Sequence, residues 1–109
     1  MKKVLKNTAK TKAYLDGLPK IYMVGLWAKY GVREYPFTEK YFSENGFSIP
    51  LVYDYDDCNG TCDNWYLRRL DHVTSGFVIM WTQNESVARK VAELLNRELE
   101  EKFKELQNG

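Results

Sequence analysis

The C-terminal stretch "TQNESVARKVAELLNRELEEKFKELQNG" constrains this chain more than any other. Val87, Val91, Leu94, Leu95, Leu99, Phe103 and Leu106 recur at steps of three and four, which places them on one stripe of a long helix. Thr82 and Glu85 have the spacing of a capping box, and Glu98 with Lys102 and Glu100 with Lys104 have that of favourable i,i+4 pairs. A helix with one apolar stripe must lay it on something. A helix of about six turns covers roughly three or four strands on a single side, so the other face of such a sheet falls to the N-terminal segment or to a partner.

The strands are read upstream of it. "KIYMVGLWAKYG" alternates Ile21, Met23 and Trp27 with Tyr22, Val24 and Leu26, both phases apolar, and Gly25 permits a bulge. "FSIPLVYDYD" sets Ile49, Leu51, Tyr53 and Tyr55 against Val52 and Asp54, with Pro50 placing it near an edge or at its first residues. "NWYLRRLD" and "TSGFVIMWT" follow. The last is apolar in both phases, Phe77, Ile79 and Trp81 against Val78 and Met80, which predicts a central strand. Two short helices are expected, one from about Thr8 to Asp16, stopped by Gly17 and Pro19, the other capped by Thr38, carrying Tyr41 and Phe42 and stopped by Gly46. The expected fold is α+β: an antiparallel sheet of about four strands with a long C-terminal helix packed on one face.

At 109 residues the chain has the size of one domain, and residues 1 to 109 are read as one. Its 44% apolar and 28% charged residues argue for a folded globular protein. The excess is aromatic, with eight Tyr and three Trp, residues favoured where a surface is both apolar and hydrogen-bonding. The net charge of +1 conceals a net +6 over residues 1 to 40 and a net −5 over residues 41 to 109, the basic start reading as a solvated terminus. "MKKVLKNTAK" leads into no apolar run, and no span of membrane length occurs, so a cytoplasmic protein is expected. Thiols there are kept reduced, and Cys58 and Cys62 are not presumed to pair.

The densest chemistry lies in "DYDDCNGTCDNWYLRR". Asp54, Asp56, Asp57 and Asp63 invite calcium, but an EF-hand loop started at Asp54 ends on Trp65 and one started at Tyr55 ends on Tyr66, so the bidentate acid is missing. Zinc finds three soft donors, Cys58, Cys62 and His72, and completing the set with Asp57 or Asp63 is unusual. A redox pair wants two residues between its cysteines at a helix N-terminus; here there are three, ahead of a strand. Cys62, His72 and Asp71 have no spacing that brings them together as a nucleophile, base and orienting group. Asn59-Gly60 between two alternating runs reads instead as a hairpin turn with the cysteines flanking it on paired strands. No metal, cofactor or catalytic set is expected.

Two resemblances bear on function. "SGFVIMWTQNESVARKVAELLN" is similar to the second half of an RNA-recognition motif, where an aromatic strand leads through a capped turn into a helix. Gly76, Phe77 and Val78 match its strand pattern, whereas Val73, Thr74, Ser75 and Met80 depart from it. The resemblance implies single-strand RNA contact through Phe77 and Trp81. As a whole, with "DNWYLRRLDHVTSGFVIMWTQNE" as the telling stretch, the chain resembles the small, motif-poor phage and mobile-element proteins that inhibit host defence nucleases, as anti-CRISPR proteins do. That resemblance implies a non-enzymatic, protein-binding inhibitor. The acidic loop suits it better than RNA, because carboxylates repel phosphate and compete for a basic groove. The expected contact residues are Asp54, Asp56, Asp57, Asp63, Trp65 and Tyr66, the two rings serving as anchors. A homo-oligomer, closing the second sheet face with a copy of itself, is compatible with either function.

Overall fold

The computed structural model describes residues 3–74 and 76–108. The chain is α+β, with six strands in the order β1-β5-β4-β3-β2-β6, antiparallel, and one long C-terminal helix. The elements are β1 (Val4–Lys6), α1 (Ala9–Asp16), β2 (Lys20–Leu26), β3 (Tyr30–Glu44), β4 (Phe47–Asp56), β5 (Asn64–Arg69), β6 (Phe77–Thr82) and α2 (Glu85–Asn108). Two compact units share them. One comprises residues 1–20 and 35–75, the other residues 21–34 and 76–109, and β3 contributes to both.

In the first unit, α1 begins where Thr8 accepts a hydrogen bond from the Thr11 N–H and ends at Gly17, close to the expected bounds. It buries Leu15 and sets Tyr14 edge-on against Tyr53 of β4, 6.3 Å between centroids. Tyr35, Phe37, Val52, Tyr53 and Leu70 are also buried there. The stretch expected to form a helix from Thr38 to Gly46 is instead the outer half of β3. Asn45 (φ 52°) and Gly46 (φ 82°) are the central residues of a two-residue hairpin turn, closed by the pairs Glu44↔Phe47 and Phe42↔Ile49. Both residues tolerate left-handed backbone, and such turns match the twist of paired strands. Pro50 lies inside the sheet order, yet β5 pairs with β4 only from Leu51 onward, so the missing N–H costs no ladder bond on that side.

In the second unit, β2 and β6 pair with a register shift between Val24 and Gly25, the bulge that the glycine permits. A Cβ at Gly25 would stand 2.7 Å from the Trp27 ring and 3.0 Å from the Phe77 carbonyl, so only glycine suits this position. The stripe of α2 lies on this unit: Ala88 and Ala92 are buried with Val24, and Tyr22, Tyr30, Val32, Met80, Val91 and Leu95 pack around them. The cap differs from expectation. Asn84 accepts from the Val87 N–H at 3.2 Å, while Thr82 accepts from the Asn84 N–H at 3.1 Å, so the helix starts after Asn84 and Glu85 pairs with Arg89. Strand β6 is at the end of the strand order, not central. Its side chains alternate, Val78 and Met80 half-buried, Phe77, Ile79 and Trp81 exposed at 76%, 47% and 38%. Doubly apolar sequence arises here because an edge strand keeps an uncovered apolar face.

Candidate functional site

The acidic, aromatic stretch folds as the end of the β4–β5 hairpin, and its register distributes the expected contact residues. Tyr55 pairs with Trp65, Asp54 with Tyr66 and Asp56 with Asn64, so side chains alternate between two faces of this ladder. The connection is a seven-residue loop, 57–63, containing a short 3₁₀ turn over Cys58–Gly60, rather than a two-residue turn at Asn59-Gly60. Cys58, Asn59 and Gly60 all have positive φ (49°, 59° and 86°). The turn is wound tightly because carboxylates take up its amides. Asp56 accepts from the Cys58 N–H at 2.8 Å and Asp57 from the Asn59 N–H at 3.1 Å, while the Asp57 carbonyl accepts from Gly60 and Cys62.

That winding brings the Cys58 and Cys62 Cα atoms to 5.2 Å, and the two sulfurs form a disulfide. The spacing falls within the range a disulfide requires. The pairing left open by the sequence therefore occurs, inside the loop rather than across the strands. Neither sulfur is then a zinc ligand or a nucleophile. Both lie against the Tyr66 hydroxyl, at 3.8 Å and 3.5 Å. His72 is instead beside Asp71, 4.0 Å away. Among the described residues no group of three or more His, Cys, Asp or Glu is placed to hold a metal ion.

On one face of the ladder, Arg68 reaches Asp56 at 3.4 Å and Asp54 at 3.9 Å while its guanidinium lies over the Tyr66 ring at 5.1 Å. On the other, the Trp65 ring packs on Tyr55 with 5.4 Å between centroids, and its indole N–H donates to Asn7 at 3.1 Å. Asn7 in turn donates to Asp63 at 3.1 Å, and the Tyr55 hydroxyl donates to the same carboxylate. That hydrogen bond, reinforced by burial and by the charges of Asp63 and Asp57, raises the Tyr55 phenol above its ordinary value. Trp65 and Tyr66 are thus half-buried and engaged within the ladder, on opposite faces. Asp57 and Asp63 are exposed and make no ion pair among the described residues.

Three contributors were not among the residues expected from sequence. Asn7 is remote in the chain and joins Asp63 to Trp65 through the pairing of β1 with β5. Arg68 carries a signal in hindsight, since it sits two residues beyond Tyr66 and so shares its face. Tyr55, two residues before the loop, is 42% exposed. No protein-family model, curated protein or solved structure matches this chain.

Proposed function

We propose that this chain is a non-enzymatic protein-binding module that presents the 57–63 loop to a basic partner surface. The observation that carries this reading is the pair Asp57 and Asp63, exposed and without an ion pair among the described residues, on a loop closed by a disulfide and by its own capping hydrogen bonds. A loop fixed before binding loses little entropy on docking, which is how few contacts yield useful affinity. Asp56 adds a third carboxylate, sharing Arg68 with Asp54, and Tyr55 adds apolar surface. Trp65 and Tyr66 contribute by holding the loop rather than by touching the partner. Carboxylates spaced along a rigid edge compete with phosphates for a cationic groove, and the most specific form of this proposal is inhibition of a host defence nuclease such as a CRISPR effector.

A second reading rests on the opposite side of the chemistry. Phe77, Ile79 and Trp81 form an exposed apolar row on the β6 face away from α2, the kind of platform on which unpaired bases stack. One experiment separates the two. Tagged wild-type protein and the triple variant Asp56→Asn, Asp57→Asn, Asp63→Asn are used to capture partners from bacterial lysate, with and without nuclease treatment. The protein-binding reading expects a protein that survives nuclease treatment with the wild type and is depleted with the triple variant. Recovery of RNA alone, unaffected by the loop substitutions and abolished by Trp81→Ala, transfers the assignment to RNA binding.

A further inference from the structure

The second half of α2 has no counterpart to lie on within its own unit. Ala88 and Ala92 are buried, Val91 and Leu95 half-buried, and every described residue from Arg97 onward is exposed. The last clamp to the strands is Asn96, whose side-chain carbonyl accepts from the Tyr30 N–H and whose amide donates to the Tyr30 carbonyl, both at 2.8 Å. Beyond it the helix continues for about 18 Å. Its apolar stripe continues too: Leu99, Phe103 and Leu106 are 43%, 62% and 81% exposed.

The charges beside that stripe follow a regular pattern. At about 100° per residue, Glu98 and Lys102 lie on one flank of the Leu99 line and Glu100 and Lys104 on the other. None of the four makes an ion pair within the chain among the described residues, whereas the ion pairs of the helix, Glu85 with Arg89 and Glu93 with Lys90 and Arg97, all lie before them. The i,i+4 pairs that the spacing suggests are therefore not formed. Each flank holds an acid followed by a base, the second flank displaced along the axis by two residues, about 3 Å. A parallel copy would set Glu98 beside Glu100 and Lys102 beside Lys104. An antiparallel copy crossing near Glu101 does the reverse, setting Glu98 beside the second copy's Lys102, Glu100 beside its Lys104, and Leu99 against its Phe103.

We infer that the exposed C-terminal stripe of α2 pairs with the same stripe of a second copy of this chain, antiparallel about a two-fold axis near Glu101. The self-complementary charge on both flanks selects the copy and its direction, and Leu99, Phe103 and Leu106 supply the apolar seam. The contact is small, so assembly is concentration-dependent rather than obligate.

Sedimentation across a wide concentration range tests this with three variants, the helix content of each checked by circular dichroism. The wild type sediments as a monomer–dimer mixture that shifts with concentration. Phe103→Ala with Leu106→Ala raises the dissociation constant at least tenfold, and because both side chains are exposed the fold is retained. A chain carrying Glu98→Lys and Glu100→Lys is monomeric alone, as is one carrying Lys102→Glu and Lys104→Glu, and the two dimerise when mixed. A wild type that stays monomeric into the high micromolar range overturns the inference and leaves the stripe to another protein. So does self-association of the charge variants as tight as that of the wild type.

Discussion

Tyr53 and Tyr55 stand two residues apart on one face of β4 and titrate for different reasons. Tyr53 is buried under Tyr14, and burial first, then the neighbouring phenol, pushes it up to about 12. Tyr55 is raised chiefly by the hydrogen bond it gives Asp63. Unfolded tyrosines ionise near about 10, so over the interval above that value the folded chain holds protons that the unfolded chain has released. Their contribution to stability is complete below about pH 10 and is lost as pH rises through the folded values. Denaturant midpoints should accordingly be flat from neutrality to about pH 10 with respect to these two groups and fall beyond it, while phenolate absorbance shows one tyrosine titrating near 12. Tyr55→Phe should remove one component of the alkaline decline, because the hydrogen bond to Asp63 goes with the hydroxyl. A decline identical to that of the wild type would show that Tyr55 does not share a proton with Asp63.

At the scale of elements, two of the three Asn-Gly pairs in the sequence lie between strands, and these two do different work. Asn45-Gly46 makes the tight hairpin between β3 and β4, and Asn59-Gly60 sits within a longer, disulfide-closed loop. An added Cβ would meet nothing within 4 Å at either glycine, yet both have φ above 80°. Gly46→Ala and Gly60→Ala should therefore cost about 1–2 kcal/mol each through backbone strain alone, read as shifts of the denaturation midpoint. Gly25→Ala should cost more, since there the Trp27 ring and the Phe77 carbonyl also stand in the way. Reducing the disulfide opens a ring of only five residues and should lower stability by about 2 kcal/mol, with the strand content seen by circular dichroism retained. These elements also show what was legible in advance. The α2 stripe, the short helix α1 and the Gly25 bulge are local, and local patterns announce them. The 38–44 strand was hidden because Thr38, Tyr41 and Gly46 satisfy helix punctuation equally well, and only pairing with residues 47–50 decides between them. The place of β6 at the end of the sheet is a property of topology, and a doubly apolar run carries no mark of it.

For the whole molecule, class and site were legible to different depths. The α+β class with one long helix was readable from periodicity. The acidic stretch was readable as a hairpin, but which of its residues face outward was not. Alternation across β4 and β5 engages Asp54, Asp56 and Tyr66 with Arg68 and Trp65 with Tyr55, and the pairing of β1 with β5 brings in Asn7, which donates to Asp63. What is left outward is a fixed set of carboxylates, and their collective effect should be electrostatic. Fields of this kind change association rates by roughly tenfold or more and are screened over about 10 Å at 0.1 M salt. The measurement that bears most directly on this account is the association rate of the captured protein partner with the wild type and with the Asp56→Asn, Asp57→Asn, Asp63→Asn variant, followed across ionic strength. The account predicts that the wild-type rate falls steeply as salt is added, and that the variant associates roughly tenfold more slowly at low salt with a nearly flat dependence. Equal rates with equal salt dependence would contradict the claim that this loop is what the partner meets.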